Sequence, residues 1–208
     1  MTDACSHRLF FALVALAMAF TAPASLHAQF RFSTVVIDAG HGGKDPGTIW
    51  YHRVEKHLAL DVAKRVETGL RAKGIKTVMT RRTDTFVELD QRARLANKVP
   101  SSIFVSIHFN ADGRDFGKNG AEMHYYGPKG LAIARRLDMA FDRSVKLGCR
   151  KLVQRKRLVV LRDTKAPAVL VECGYLTNRT NSWLCSLTSH RQAIANAIVA
   201  GILASRVR

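Results

Sequence analysis

Acidic residues are scarce in this 208-residue chain: 16 Asp and Glu face 33 Lys and Arg, for a formal charge of +17. A surface so biased favours polyanions, whether nucleic acid, anionic lipid or an anionic cell wall. Cysteine is scarce too. Beyond the first thirty residues only Cys149, Cys173 and Cys185 remain, and their spacing fits no zinc finger or ribbon. In an oxidising compartment they allow one disulfide, whose pairing is open; as small buried residues they need none. Long apolar runs are missing. The run at residues 9–20 falls short of the about 20 residues that cross a bilayer. No internal repeat, low-complexity tract or long linker breaks the chain.

The N-terminus follows its own pattern. Arg8 precedes the apolar run, and small residues at 21–28 follow it. Basic, then apolar, then small predicts a secretory signal peptide over residues 1–28, with cleavage after Ala28 or, alternatively, Ala24. No cysteine closely follows the run, so neither a lipid anchor nor another stable membrane anchor is expected. The expected location is the periplasm, the cell wall or the extracellular space. Export makes nucleic acid the poorest of the polyanionic partners, and none is expected. Residues 29–208 fit one domain with one sizeable core.

Strand-like and helix-like stretches alternate along that domain. Short apolar runs at 35–39, 75–80, 103–107, 121–126, 158–161 and 168–171 predict strands. Apolar residues at Leu58, Leu60, Val62, Ala63, Val66 and Leu70, stopped by Gly74, predict a helix over 55–72. Further helices are expected over 87–98, 131–145 and 192–205. Helices between apolar strands predict an α/β sandwich with a mainly parallel sheet.

In open α/β sheets, sites form beyond the carboxyl ends of the strands. Asp38 and His41 follow the first run, His108 follows 103–107, Glu172 follows 168–171, and Glu55 opens the first helix near the same edge. The imidazoles of His41 and His108 and the carboxylates of Glu55 and Glu172 thus meet on one rim. Neutral imidazole and carboxylate are zinc donors, and a catalytic site takes three of them and leaves a position for water. A carboxylate held off the metal takes a proton and returns it. Such a set suits hydrolysis of an amide. Each residue alone has a plainer reading. A His after a strand packs and hydrogen-bonds, and a Glu at a helix start complements the dipole.

Seven segments in order carry a resemblance: "VVIDAGHGGKDPG" (35–47), "EKHLALDVAKRV" (55–66), "TRRTDTFVELDQRARLAN" (80–97), "FVSIHFNA" (104–111), "GAEMHYY" (120–126), "LVVLRDT" (158–164) and "PAVLVECGYLTN" (167–178). In them the chain resembles the zinc-dependent N-acetylmuramoyl-L-alanine amidases of the type 3 family, over nearly all of it from Ser33 onward. The resemblance implies one domain, with a sheet of about six strands and helices on both faces. It implies zinc, with His41, Glu55 and His108 as ligands and Glu172 as the catalytic carboxylate. The implied reaction, in bacterial peptidoglycan, cuts the amide between the lactyl group of muramic acid and the L-alanine of the stem peptide. Asp38 is then a candidate to orient a ligand imidazole, or else to cap the loop backbone. Trp50, Tyr51 and Asn110 are candidates for the substrate rim.

The chain departs from the family pattern in places. Phe109 replaces a small residue, which is expected to narrow the site. The insert "IWYHRV" (49–54) brings His52, and His57 follows; both compete with Glu55 as ligand candidates. Glu122 reads as a strand-edge charge rather than a ligand. Some family members, the cell-division amidases, carry a helix after the strand matching "GAEMHYY" that covers the zinc. Here Gly127 and Pro128 follow Tyr126 directly, so no obligatory activator protein is expected, and the loop at 112–120 is expected to form a mobile rim. A zinc peptidase acting within the stem would share these ligands. A binding module on a dead site would lack one of them, and a secreted nucleic-acid binder would need no metal.

Overall fold

The computed structural model describes residues 29–207 other than Cys149. The expected leader, residues 1–28, lies outside them, as does Cys149; Cys173 and Cys185 are free, buried thiols. The chain runs through β1 (Thr34–Ala39), a small hairpin of β2 (Ile49–Trp50) and β3 (Arg53–Val54), then α1 (Glu55–Arg71), β4 (Lys76–Met79), α2 (Leu89–Asn97), β5 (Ser102–Asn110) and β6 (Ala121–Tyr125). It continues with α3 (Gly127–Ser144), β7 (Arg150–Gln154), α4 (Val159–Arg162), β8 (Ala168–Tyr175), α5 (Arg179–Ser186) and α6 (Thr188–Ala204). Six strands form one sheet in the order β4-β1-β5-β8-β6-β7. The first four in that order run parallel; β6 is antiparallel to β8, and β7 is parallel to β6.

Alternation along the strands assigns the two faces of this sheet. On one face Val35, Ile37, Ile103, Val105, Ile107, Met123, Val169 and Val171 are fully buried. They pack with Leu58, Val62 and Val66 of α1, Ile133 and Leu137 of α3, and Ile194 and Ile198 of α6. Burying a side chain of this size contributes roughly 1.5–3 kcal/mol, so this face anchors the domain. The other face reads Val36 and Asp38 on β1; Phe104, Ser106 and His108 on β5; Leu170 and Glu172 on β8; Glu122 and His124 on β6. Its apolar end is covered by Ala96 of α2 and by Val160 and Leu161 of α4. Its polar end, at His108, Glu172 and His124, stays open and floors a cavity.

The sheet of six strands with helices on both faces agrees with expectation. One strand assignment does not. Residues 159–161 belong to the helical turn α4, with Leu158 as its N-cap, because β8 already pairs with β5 on one side and β6 on the other. A run of four apolar residues is equally readable as a strand or as a buried helical turn. The sixth strand is instead the polar edge strand β7. The hairpin and α5 were also beyond the sequence reading. The loop expected as a mobile rim is tied to the β8–α5 turn: Asp112 N–H donates to Thr177 Oγ1 (3.0 Å), Asn178 Nδ2 to the Phe116 carbonyl (3.0 Å) and Gly120 N–H to Asn181 Oδ1 (2.8 Å). Among the described residues, no helix is long and apolar enough to cross a membrane.

Candidate metal centre and its cavity

The loop after β1 is shaped by two buried arginines. Arg81 Nε donates to the Ala39 carbonyl (2.9 Å), and its Nη2 donates to the carbonyls of Gly40 (2.7 Å) and Lys56 (2.8 Å). Arg92 Nη1 reaches the Ala39 carbonyl (2.6 Å) and Asp38 Oδ1 (2.8 Å), and its Nη2 reaches the His41 carbonyl (2.8 Å). Loop carbonyls that no strand can satisfy thus find guanidinium donors. Within this grip His41 adopts φ 59°, a left-handed conformation that costs a non-glycine residue about 1–3 kcal/mol. Gly40 and Gly47 leave room for the site. A Cβ at Gly40 would sit 2.3 Å from the His108 ring, and one at Gly47 would sit 2.6 Å from Glu55 Oε2.

Three side chains converge there. His41 Nε2 lies 2.9 Å from Glu55 Oε1, His108 Nδ1 lies 3.0 Å from the same oxygen, and the two ring nitrogens are 3.2 Å apart. Among the described residues they form the one group suited to a metal. The donor set fits zinc. His41 Nδ1 is 2.8 Å from Asp45 Oδ2, and a carboxylate there fixes the ring proton on Nδ1 and leaves the Nε2 lone pair facing inward. A lone pair that faces a carboxylate oxygen and a second imidazole needs a cation between them. Ligands at about 2.0–2.2 Å from a tetrahedral ion stand roughly 3.3–3.6 Å apart, so a small outward adjustment accommodates one. Glu55 is prepared for this. Burial works against its charge, but the two imidazoles beside it outweigh burial and hold its pKa well below the usual carboxylate range. Its Oε2 accepts from Thr48 N–H (2.9 Å) and its Oε1 from Phe109 N–H (3.0 Å).

Glu172 lines the same cavity, of about 830 Å³. Its Oε2 is buried with no hydrogen-bond partner among the described residues, and burial raises its pKa. Opposite it in the β6–β8 ladder stands Glu122. Glu122 accepts from Tyr175 Oη (2.7 Å) and pairs with His124 Nε2 (2.8 Å). The His124 contact, then burial against it and the Tyr175 hydroxyl, leave the Glu122 pKa lowered to about 2. Glu122 is therefore a buried anion, neither an edge charge nor a member of the metal group.

Other expectations need correction. Asp38 does not orient a ligand imidazole. Its oxygens are taken by Thr80 Oγ1 (2.6 Å), Ser106 Oγ (2.6 Å) and Arg92, so it acts on the loop through Arg92, and Asp45 holds the imidazole. The signal for Asp45 was its place four residues after His41. Trp50 and Tyr51 do not line the cavity. They sit on the exposed hairpin, with Trp50 stacked on Phe116 at 5.6 Å. Asn110 does line it. Phe109 is buried in the helix-covered core cluster and also lines the cavity beside His108. His57 is exposed and lies 3.8 Å from Asp84; His52 is exposed at the hairpin turn. Neither joins the metal group. The sequence reading missed His124 and the segment 154–158, which also line the cavity.

A family model described as N-acetylmuramoyl-L-alanine amidase matches residues 35–204. LytC of Bacillus subtilis strain 168, an N-acetylmuramoyl-L-alanine amidase, is 34% identical over 168 residues, which cover 79% of this chain and 34% of LytC. The chain spans between about a third and three fifths of the length of the curated relatives it matches. The crystal structure of an N-acetylmuramoyl-L-alanine amidase from Clostridium difficile 630 superposes with TM-score 0.80 at 34% identity, covering 84% of this chain and 96% of that one. The CwlD amidase of Clostridioides difficile, solved in complex with the GerS lipoprotein, superposes with TM-score 0.78 at 25% identity, covering 83% and 98%.

Proposed function

The chain belongs to the N-acetylmuramoyl-L-alanine amidase family, and from that membership we propose that it hydrolyses the amide between N-acetylmuramic acid and L-alanine in bacterial peptidoglycan. The observation that carries this reading is the meeting of His41, Glu55 and His108 beside Glu172 in one cavity. The three would hold a zinc ion, which when bound polarises the scissile carbonyl and lowers the pKa of water. Asp45 keeps the Nδ1 proton of His41 and so keeps Nε2 turned inward. The amides of Thr48 and Phe109 fix both oxygens of Glu55. Glu172 accepts a proton at its carboxyl from the attacking water and gives it to the alanine nitrogen as the C–N bond breaks. A carboxyl with a raised pKa is a stronger base for the first transfer and remains an acid for the second.

The same reading places the chain outside the cytoplasm, at the periplasm or cell wall. It places Asn110 on the cavity rim, and Trp50 and Tyr51 at the hairpin beyond Thr48, where a glycan strand has flat faces to lie on. It includes no activator: β6 passes directly into α3 at Gly127, and no segment intervenes there to cover the metal site. Digestion of purified sacculi by the zinc-loaded chain alone, followed by product analysis, tests this. Free muramic acid carboxyls and new L-alanine amino ends are expected. Ends within the stem peptide would make the chain a peptidase, and activity only with an added protein would overturn the activator-free part. Glu172→Gln should keep zinc and lose turnover by about 10²–10⁴-fold.

A further inference from the structure

The cavity has a second wall that the chemistry of hydrolysis does not use. Residues 154–158 leave β7 at the sheet edge and cross toward α4, and all five line the cavity with His41, Glu55, His108 and Glu172. The wall is tied to the sheet through Arg155 N–H, which donates to the Tyr125 carbonyl at 2.8 Å. Three of its residues are cations in sequence: Arg155, Lys156 and Arg157, all exposed. Several arginines elsewhere in the domain are closely paired. Arg65 and Arg191 share Asp61, Arg82 holds Glu67, and Arg92 holds Asp38. On this wall the nearest carboxylate is Glu122, 4.0 Å from Arg155, and it is already engaged by Tyr175 and His124. Lys156 and Arg157 enter no ion pair among the described residues. Below them His124 lines the floor, 4% exposed, and its Nδ1 is buried without a hydrogen-bond partner among the described residues.

The direction of the peptide follows from the reading above, on which this inference rests. Glu172 must reach the alanine nitrogen, so the stem peptide leaves the scissile bond on the Glu172 side. Beyond Glu172 on that side stand His124 and the cationic wall. The residue joined to alanine in the stem is a glutamate linked through its side-chain carboxyl, which leaves its α-carboxyl free or, when amidated, neutral. We propose that Arg155, Lys156 and Arg157, above the floor provided by His124, form a carboxylate subsite that selects stem peptides with a free α-carboxylate over their carboxamides. A guanidinium or ammonium loses a charge-assisted hydrogen bond when that carboxylate becomes an amide.

Two matched muropeptides test this, both with the glutamate side-chain carboxyl amide-linked to a C-terminally amidated lysine: N-acetylmuramoyl-L-alanyl-γ-glutamyl-lysinamide with its free α-carboxylate, and the same molecule as the α-carboxamide. For the zinc-loaded chain, kcat/KM should favour the carboxylate by roughly 10- to 100-fold, the range of one charged hydrogen bond. In the combined variant Arg155→Gln, Lys156→Gln, Arg157→Gln the ratio should fall to about 1–3, an expectation for loss of that bond. The triple control variant Lys64→Gln, Lys73→Gln, Lys98→Gln, the same charge change at exposed sites outside the cavity, should keep the wild-type ratio. Equal cleavage of the two muropeptides by the wild type, or a preference that survives in the combined variant, would overturn the subsite. A second readout needs no turnover. Titration of the released peptide, its glutamate γ-carboxyl still amide-linked to lysinamide, should shift the His124 imidazole resonances, and the corresponding α-carboxamide peptide should not. If neither muropeptide is cleaved, the amidase reading fails while the titration still decides the subsite: equal shifts from both peptides, or none, reject it.

Discussion

Two pairs of arginines show opposite uses of one side chain. Arg81 and Arg92 are 4% and 2% exposed, and their donors are committed to loop carbonyls and to Asp38. Arg155 and Arg157 stand exposed on the cavity wall with donors to spare. The first pair builds a scaffold, because a saturated guanidinium fixes the atoms around it. The second pair leaves its donors to something outside the chain. Net charge counts all four alike, so a value of +17 says nothing about how much of it is available to a ligand.

The largest effect should come from removing what the scaffold holds. His108→Ala should lose stoichiometric zinc by elemental analysis, and turnover should drop by at least about 10³-fold; a variant that retains its zinc would refute the ligand assignment. Next comes the scaffold itself. Arg92→Met leaves Asp38 buried and uncompensated, and urea unfolding should show a loss of about 3–5 kcal/mol. Arg155→Met on the wall should change stability by less than about 0.5 kcal/mol. Equal losses would erase the distinction between the pairs.

Asp38 sharpens the comparison through pH. Burial alone would raise its pKa, but Arg92, Ser106 and Thr80 outweigh burial and lower it. A carboxylate with a depressed folded pKa adds stability that is present above its unfolded value, about 3.9, and is lost as pH falls through the folded value. Urea midpoints should therefore decline below about pH 4, and Asp38→Asn should be less stable at neutral pH with a flatter decline. A decline unchanged in that variant would assign the acid sensitivity to other groups. A further effect concerns Asp45. Asp45→Asn keeps an acceptor for His41 Nδ1 but removes its charge, and zinc affinity should weaken by about 10–100-fold in a chelator competition. Unchanged affinity would mean that the Asp45 charge is not needed to hold the ring.

The legible parts of the sequence were those that obey a period or sit at a strand end. His41, His108 and Glu172 could be placed together because each follows an apolar run and the parallel strands share one rim. Glu55 could be added because it opens α1. Asp38 was visible, but its partner was not, since Arg92 lies on α2 and no local pattern joins the two. His124 was hidden in a strand read as ordinary alternation. The wall at 155–157 follows an edge strand whose polar sequence resembles a loop, and β6 had to run against β8 before those residues could overhang Glu172. Reversal of a strand is a tertiary choice, and the apolar pattern is the same in either direction.

The position of that wall bears on how such a chain can change. Between the end of β7 at Gln154 and the start of α4 at Val159 lie four residues that belong to no strand or helix and carry none of the metal ligands. Their exchange leaves the sheet ladder and the grip of Arg81 and Arg92 untouched. If the proposed subsite holds, preference for a stem peptide and the ability to cut it are separately inherited traits: grafting these four residues from a relative onto this frame should transplant the preference and leave the reaction unchanged.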